Sequence, residues 1–243
     1  MKSCLRIPTL LVLLLLSACA SIDRETIHGS GILDSEDRPV QGVTRVSLTT
    51  LGELTIQLGD NESLVVEAED NLLQYIETSV VGGKLTIRSA QNVNLEPTRS
   101  VRYTLTVSSL AGLEVSSSGS ITAPALAAEK FDLQISSSGN ITLAGLTADH
   151  LTVDISSSGN LEIGAGEVSE QTVNLSSSGN YRAGELRSQT ADVTNSSSGT
   201  VTLWVTNQLK VDLSSSGNVN YYGEPAVTEE TSSSGKAVPL GIK

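Results

Sequence analysis

Hydrophobic and polar residues alternate along the second half of this chain, and the alternation recurs about every twenty residues. Each unit is centred on a Ser-Ser-Ser-Gly run. The seven glycines of these runs are Gly119, Gly139, Gly159, Gly179, Gly199, Gly217 and Gly235. The spacing is 20 residues between the first five glycines and 18 residues between the last three. A fixed repeat of this length is typical of solenoids, in which each unit stacks on its neighbours.

The alternation on both sides of each run predicts strands with one buried face. In one unit the apolar or small residues are Phe131, Leu133, Ile135, Ser137, Gly139, Ile141 and Leu143, and the residues between them are mostly polar. The alternation keeps its phase through the run, which favours one coil of a β-solenoid over a tight hairpin. We therefore predict an all-β fold, a single-stranded parallel β-helix with about 20-residue coils. Parallel crossovers favour a right-handed coil.

The middle serine of each run is expected to face inward and to stack on its copies in the neighbouring coils. These serines are Ser117, Ser137, Ser157, Ser177, Ser197, Ser215 and Ser233. A buried hydroxyl needs a hydrogen-bond partner, which the neighbouring serines or nearby backbone carbonyls can supply. Asn195 interrupts an inward column that is otherwise apolar. We expect its side chain to be hydrogen-bonded inside the coil or to mark an irregularity.

The first third of the chain is less regular. Alternating segments predict strands at residues 54–58, 64–68, 84–88 and 101–107, and residues 69–75 suggest a helical turn. Solenoids need atypical ends to cover the open edge of a terminal coil. We therefore interpret residues 31–243 as one solenoid domain whose N-terminal part is an irregular β cap.

The N-terminus has the pattern of a bacterial lipoprotein signal. Two basic residues, Lys2 and Arg6, precede an apolar run too short to span a bilayer, and the run ends in Leu-Ser-Ala before Cys19. This resembles a lipobox, which predicts a signal peptide at residues 1–18, lipidation of Cys19 and a tether at residues 19–30. Ala20 follows the cysteine, which by resemblance to Gram-negative lipoproteins favours the outer membrane. The alternative is an ordinary signal peptide with a chance cysteine.

The composition excludes several classes of function. The formal net charge is −12 and becomes −14 when Lys2 and Arg6 leave with the signal. Lysine and arginine do not cluster, so nucleic acid is not an expected partner. The only other cysteine, Cys4, also leaves with the signal, so the mature chain can form no internal disulfide. Stability is expected to come from packing and backbone hydrogen bonds.

The layout of the whole chain resembles one known family. Gly29-Ser30-Gly31 is followed by ESLVVEAEDNLLQYIETSVVGGKLTI, by the repeated Ser-Ser-Ser-Gly-Asn units and by YYGEPAVTEETSSSGK. This order is similar to that of the putative auto-transporter adhesin, head GIN domain family. The repeat in this family is usually Ser-Gly-Ser-Gly, whereas in this chain a serine replaces the first glycine. The resemblance implies a β-helix-like fold in an envelope or secreted protein, and it supplies no catalytic residues.

The residues themselves favour a protein that is not an enzyme and has no cofactor. The only histidines are His28, in the predicted tether, and His150, expected on a solvated loop. Two separate histidines do not predict a Ser-His-Asp triad or a zinc site. Asp212 and Glu230 would lie one coil apart, where paired carboxylates could bind a cation or cleave a sugar chain. A solvated charged face is the alternative, and we expect no metal site.

One aromatic pair is a candidate for contact with a ligand or partner. Trp204 and Tyr222 each lie five residues after a repeat glycine, in a chain that is only 3% aromatic. On adjacent coils they would lie side by side and face outward, where rings can stack on sugars or anchor a protein. Alternatively, residues 237–243 or a neighbouring subunit covers them. We therefore predict a lipid-anchored adhesion module that binds polysaccharide or a surface protein. The alternatives are a self-associating envelope scaffold, which would be a homo-oligomer, and a carbohydrate-active enzyme.

Overall fold

The computed structural model describes residues 24–243. The predicted signal peptide and Cys19 lie outside the described residues. Among residues 24–243, no helix has the length and apolarity of a membrane span.

Strands dominate the described chain. The N-terminal part contains β1 (Glu25–His28), β2 (Leu33–Arg38), β3 (Arg45–Leu48), β4 (Glu53–Leu58), β5 (Ser63–Glu69), α1 (Asp70–Leu73), β6 (Ile76–Val81), β7 (Lys84–Ser89), β8 (Val93–Glu96) and β9 (Arg102–Val107). The repeats contain β10 (Gly112–Val115), β11 (Ser120–Ile135), β12 (Asn140–Ile155), β13 (Asn160–Ile163), β14 (Gly166–Leu175), β15 (Asn180–Asn195), β16 (Thr200–Leu213), β17 (Asn218–Tyr222), β18 (Ala226–Thr231) and β19 (Ala237–Gly241).

The repeats form a β-solenoid of about six turns, which confirms the predicted fold class. From β10 to β19 each strand pairs in parallel with its copy in the next coil. Ile121 lies opposite Ile141, and Leu133 lies opposite Val153, at the 20-residue offset of the repeat. Where the spacing falls to 18 residues, Thr200 lies opposite Asn218. Like side chains therefore stack on like side chains through the core.

Each regular coil has three sides. The pairing of β11 with β12 omits Pro124 and Glu129, and the buried residues change phase at both places. Ile121 and Ala123 point into the core on the first side, Leu126 on the second, and Phe131, Leu133 and Ile135 on the third. Period-two alternation thus holds along each side but not around the whole coil, because the backbone turns between sides.

The Ser-Ser-Ser-Gly run makes the third corner, and the glycines stack on one another there. A Cβ added to Gly159 would lie 2.2 Å from the carbonyl oxygen of Gly139 and 2.9 Å from that of Ser137. Two of the middle serines find the expected partners: the Ser117 hydroxyl donates to the Thr50 carbonyl, and the Ser197 hydroxyl donates to the Ser177 carbonyl. Of the seven middle serines, Ser197 is buried, Ser233 is exposed and the other five are half-buried, so burial at this position is partial and is lost in the last coil.

Asn195 is fully buried and hydrogen-bonded, as expected. Its amide donates to the Gly199 carbonyl at 2.9 Å, and its side-chain oxygen accepts from the backbone N–H of Ser197 at 3.1 Å. On the outside of the same corner, asparagine amides form a ladder. Asn160 donates to Asn140 at 3.0 Å, and Asn180 donates to Asn160 at 2.9 Å.

The N-terminal cap is part of the same sheet. β3 and β4 pair in parallel with β10 and β11, so they form the first rung of the stack. β7 and β9 then pair with β3 and β4, and antiparallel pairings of β2, β5, β6, β7 and β9 close that end. The four strands expected in this region are present, and α1 is the expected helical turn.

Part of the segment interpreted as a tether is docked on the cap. Residues Glu25–His28 form β1, which pairs in parallel with β8. The buried carboxylate of Glu69 then holds the following turn, since it accepts hydrogen bonds from the backbone N–H of Gly31 at 2.6 Å and of Thr98 at 2.8 Å. The hydroxyl of Thr98 also donates to it, at 2.6 Å. The tether interpretation is thus wrong for residues 25–30, because these long-range contacts hold them.

The last coil is polar at positions that are apolar in the coils before it. Glu229 lies opposite Val211, and Thr231 lies opposite Leu213. The Glu229 carboxylate accepts a hydrogen bond from the backbone N–H of Ala237 at 3.0 Å. The strands at this end of the solenoid therefore carry polar groups where the inner coils carry core residues.

Candidate functional site

The aromatic pair lies where the coils shorten from 20 to 18 residues. Along β15 and β16, Ala183 lies opposite Leu203, but the next pair is Arg187 with Trp204. Gly184, Glu185 and Leu186 are therefore extra residues on the longer coil at this corner. The side chain of Glu185 is 66% exposed there. The change of repeat length thus builds a local irregularity directly beside Trp204.

Trp204 and Tyr222 are register partners on β16 and β17. Both are half-buried. The Tyr222 ring lies over Gly184, because a Cβ added there would be 3.2 Å from Tyr222 Cε2. Gly223 ends the strand with φ of +97°, a conformation that favours glycine, and its Cα packs close to the Val205 carbonyl. The two rings are therefore held on a rigid corner by strand pairing and a tight turn.

Lys243, the last residue of the sequence, reaches over both rings. Its Nζ lies 4.3 Å from the centre of the Tyr222 ring and 5.9 Å from the centre of the Trp204 ring. The same ammonium group donates a 2.8 Å hydrogen bond to the Gly184 carbonyl and forms an ion pair with Glu185. Only 21% of the Lys243 side chain is exposed. We call Trp204, Tyr222, Gly184 and Glu185 the aromatic corner.

The two interpretations of the pair were rings that face outward and rings that the C-terminal segment covers, and each describes part of the structure. The rings lie on adjacent coils and retain exposed surface, and the C-terminal segment also reaches them. β19 pairs with β17, and Tyr222 lies opposite Gly241, two residues before Lys243. The ammonium of Lys243 contacts the rings, whereas the rest of the segment continues the stack. Sequence reasoning did not include Gly184, Glu185 or Lys243, because the register shift that unites them is not visible in the repeat.

The other candidate residues are more dispersed. Asp212 and Glu230 are in register on adjacent coils and are exposed, as expected from the repeat. Within residues 24–243, no group of three or more His, Cys, Asp or Glu side chains is placed to hold a metal ion.

Both histidines are exposed and face a glutamate. His28 Nδ1 lies 3.1 Å from Glu96, and His150 Nδ1 lies 3.0 Å from Glu170. The expected loop at His150 is wrong, because the residue lies within the continuous strand β12, which bends at its corners without leaving the sheet.

A polar cleft beside the N-terminal cap was not expected from the sequence. It has a volume of about 610 Å³ and lies between the β1–β8 pair and the first Ser-Ser-Ser-Gly corner. Arg24, Arg88, Asn92 and Ser117 are among its lining residues. Arg88 is paired with Glu77 at 2.7 Å, which neutralises part of the positive charge. The pairing of β1 with β8 creates this cleft, and no local sequence pattern predicts that pairing.

Comparison with known proteins agrees with this architecture. The profile of the family described as putative auto-transporter adhesin, head GIN domain, matches residues 43–225. The chain belongs to this family. The matched head GIN domain runs from the first rung of the cap to the turn after Tyr222, so it includes the aromatic pair but not Lys243. No curated protein matches the chain.

Solved structures share the fold of this head GIN domain protein. A putative adhesin from Bacteroides fragilis NCTC 9343 has a TM-score of 0.74 at 19% identity and covers 89% of this chain and 98% of its own. A putative lipid binding protein from Parabacteroides distasonis ATCC 8503 has a TM-score of 0.75 at 22% identity, covering 89% of this chain and 100% of its own. At these identities the likeness shows the fold alone.

Proposed function

We propose that this protein is a lipid-anchored, outer-membrane adhesion module that binds a polysaccharide or a surface protein through its aromatic corner, without catalysis. One observation carries the proposal: the only tryptophan of the chain and Tyr222 lie side by side, partly exposed, on adjacent coils. Tyrosine and tryptophan give large contact areas at low cost in conformational entropy. Membership of a family named for adhesins supports this role.

The anchor completes the proposal. The lipobox-like sequence before Cys19 and the Ala20 after it support lipidation and the outer membrane. Only five residues separate Cys19 from Glu25, where β1 begins, and an extended chain over these six steps spans at most about 20 Å. An anchored domain would therefore keep its N-terminal cap near the membrane.

Binding is tested with the mature chain on glycan arrays and on whole cells. The double variant Trp204→Ala/Tyr222→Ala removes both rings, and Thr142→Ala, at an exposed position three coils earlier, is the control. We expect the double variant to lose binding while the control retains it, with circular dichroism showing that both remain folded. Unchanged binding by the double variant would remove the aromatic corner from the proposal.

The anchor is tested separately in cells. Cys19→Ser should abolish incorporation of labelled palmitate and release the protein from the outer-membrane fraction. Protease treatment of intact cells then distinguishes a domain that faces the medium from one that faces the periplasm. Palmitate incorporation that persists in Cys19→Ser would contradict lipidation at this cysteine.

A second candidate function is an envelope scaffold that self-associates through the C-terminal end. The last coil exposes Val227, Val238 and Leu240, each 36–43% exposed, which favours this alternative. The polar residues Glu229 and Thr231 on the same coil oppose it. Sedimentation velocity of the mature chain tests this second function. A monomer at all concentrations would exclude a scaffold that self-associates through the C-terminal end.

A further inference from the structure

The aromatic corner carries information about the chemistry of its partner. Four electron-rich groups meet Lys243 Nζ: the faces of the Tyr222 and Trp204 rings, the Gly184 carbonyl oxygen and the Glu185 carboxylate. Aromatic faces attract cations through their quadrupoles, and the carbonyl and carboxylate oxygens accept N–H donors. The corner is therefore complementary to a cation that also carries hydrogen-bond donors.

Charge further along the surface agrees with this interpretation. Arg187, the register partner of Trp204, forms an ion pair with Glu167 on the preceding coil at 2.7 Å. The cation at the two rings is therefore Lys243 and not Arg187. The chain as a whole is acidic, with a formal net charge of −12. A field of this sign attracts cationic partners and repels acidic sugar chains.

We infer that the aromatic corner is a lysine-binding cage and that Lys243 is its resident occupant, which a lysine side chain of a partner polypeptide replaces. This inference rests on the proposed function, since it names the partner chemistry of the same corner. The occupant itself argues for lysine, because a side chain of this length reaches both rings while its ammonium satisfies Gly184 and Glu185. A quaternary ammonium has no N–H group and would leave the Gly184 carbonyl without that donor.

The position of Lys243 also explains how replacement can occur. It follows Gly241, the last residue of β19, which has φ of +103° and no atom within 4 Å of the position that a Cβ would occupy. The residues after the strand can therefore swing away without unpairing β19 from β17. An occupant on the same chain competes at an effective concentration in the millimolar range, so the native chain binds external lysine more weakly than a vacated cage.

The single tryptophan makes the test direct, because Trp204 fluorescence reports only on this corner. The mature chain and its Lys243→Ala variant are titrated with Nα-acetyl-lysine amide, tetramethylammonium, glucosamine and pentanol. We expect a saturable change with the lysine amide that is about 3- to 30-fold tighter in Lys243→Ala than in the native chain. Lys236→Ala, at another exposed lysine, should behave like the native chain.

A second substitution tests the cage itself. In the Lys243→Ala background, Glu185→Gln should weaken lysine amide binding several-fold, and Glu162→Gln should not change it. Tetramethylammonium should bind more weakly than the lysine amide, and pentanol should give no saturable change. No saturable change in Lys243→Ala, or an equal response to pentanol, would overturn the inference. Tighter binding of glucosamine would also overturn it, because the source of the ammonium would then be an amino sugar.

The outcomes for the inference and for the proposed function are separable. Lysine binding in vitro, together with unchanged attachment by Trp204→Ala/Tyr222→Ala, would remove the aromatic corner from the adhesion role and keep the cage. Attachment lost in that double variant, with no lysine binding in Lys243→Ala, would keep the adhesion role and remove the cage.

Discussion

Tyr181 donates a 2.8 Å hydrogen bond to Gln171 inside the solenoid, across half a coil. Both side chains are buried, and burial raises the pKa of the Tyr181 phenol well above its usual range. Gln171 lies in a column between Leu151 and Ala191, so the tyrosine hydroxyl accounts for a polar residue in an apolar position. The amide nitrogen of Gln171 has no hydrogen-bond partner among the described residues.

This pair predicts strong coupling between two substitutions. Tyr181→Phe leaves the Gln171 oxygen unpaired, and Gln171→Leu leaves the tyrosine hydroxyl unpaired, so each should lower the free energy of unfolding by about 1–3 kcal/mol. The double variant removes both polar groups and should be close to the native protein or more stable. Urea unfolding of all four proteins measures the coupling, and purely additive losses would contradict it.

Glu69 predicts an acid-sensitive cap. Hydrogen bonds, first from the Thr98 hydroxyl and then from the backbone N–H groups, hold the pKa of this carboxyl below its ordinary value of 4.5, although burial opposes them. Because the pKa is lower in the folded state, the stabilisation is fully present above about pH 4.5 and is lost as the pH falls through the lower folded value. Glu69→Gln should therefore destabilise the protein at neutral pH.

The measurement is urea unfolding of Glu69→Gln and the native chain at about pH 7 and about pH 3. The difference between the two proteins should shrink on acidification. Glu67→Gln, two residues earlier on β5 and with 41% of its side chain exposed, is the control and should have a small effect at both values, since its ion pair with Arg102 is at the surface. A difference that is the same at both pH values would contradict the role of the ionised carboxylate.

The glycine corner predicts intolerance to a single methyl group. In Gly159→Ala the new Cβ would lie 2.2 Å from the Gly139 carbonyl, so the two coils must separate locally. We expect a loss of about 1–3 kcal/mol, as for overpacked cores. Gly145→Ala is the matched control, because its nearest neighbour would be 3.3 Å away. Thermal unfolding compares the two, and equal losses would show that close stacking at the corner is not the cause.

The polar last coil predicts a gain of self-association when its polarity is removed. Glu229→Val together with Thr231→Val would extend the apolar core to the open end, and an exposed apolar end with free strand edges promotes pairing. Thr228→Val with Glu230→Val adds similar side chains at the outward-facing positions and serves as the control. Sedimentation velocity should detect dimers or larger species for the first variant only, and equal association in both would contradict a capping role.

The regular part of the fold was predictable because one physical rule dominates it. In-register stacking places each residue against its copy, so the 20-residue period reports the pairing of Ile121 with Ile141 directly. The corners were less predictable, because small residues such as Ala123 and Ala125 differ in exposure without differing in hydrophobicity. Gln171 was not recognised as buried, since its partner Tyr181 is defined by contact across the coil and not by spacing.

The aromatic corner was predictable only in part, for a similar reason. The period alone brings Trp204 to Tyr222, because both lie at the same offset from their glycines. The contributions of Glu185 and Lys243 depend on a register shift and on the path of the chain after β19, and neither follows from alternation. Docking of β1 on β8 likewise depends on a pairing across nearly seventy residues, with Ile27 and Leu95 as its apolar match.

The uniform offset between coils has a consequence for the reach of the molecule. Each interface between 20-residue units has nearly the same backbone pairing, so a whole unit can be inserted or removed between Asn140 and Asn180 without altering the contacts at either end. Every such unit changes the length of the rod by about 4.8 Å. The section between the cap and Trp204 thus works as an adjustable spacer. Evolution or protein design can change its length in fixed increments of one coil.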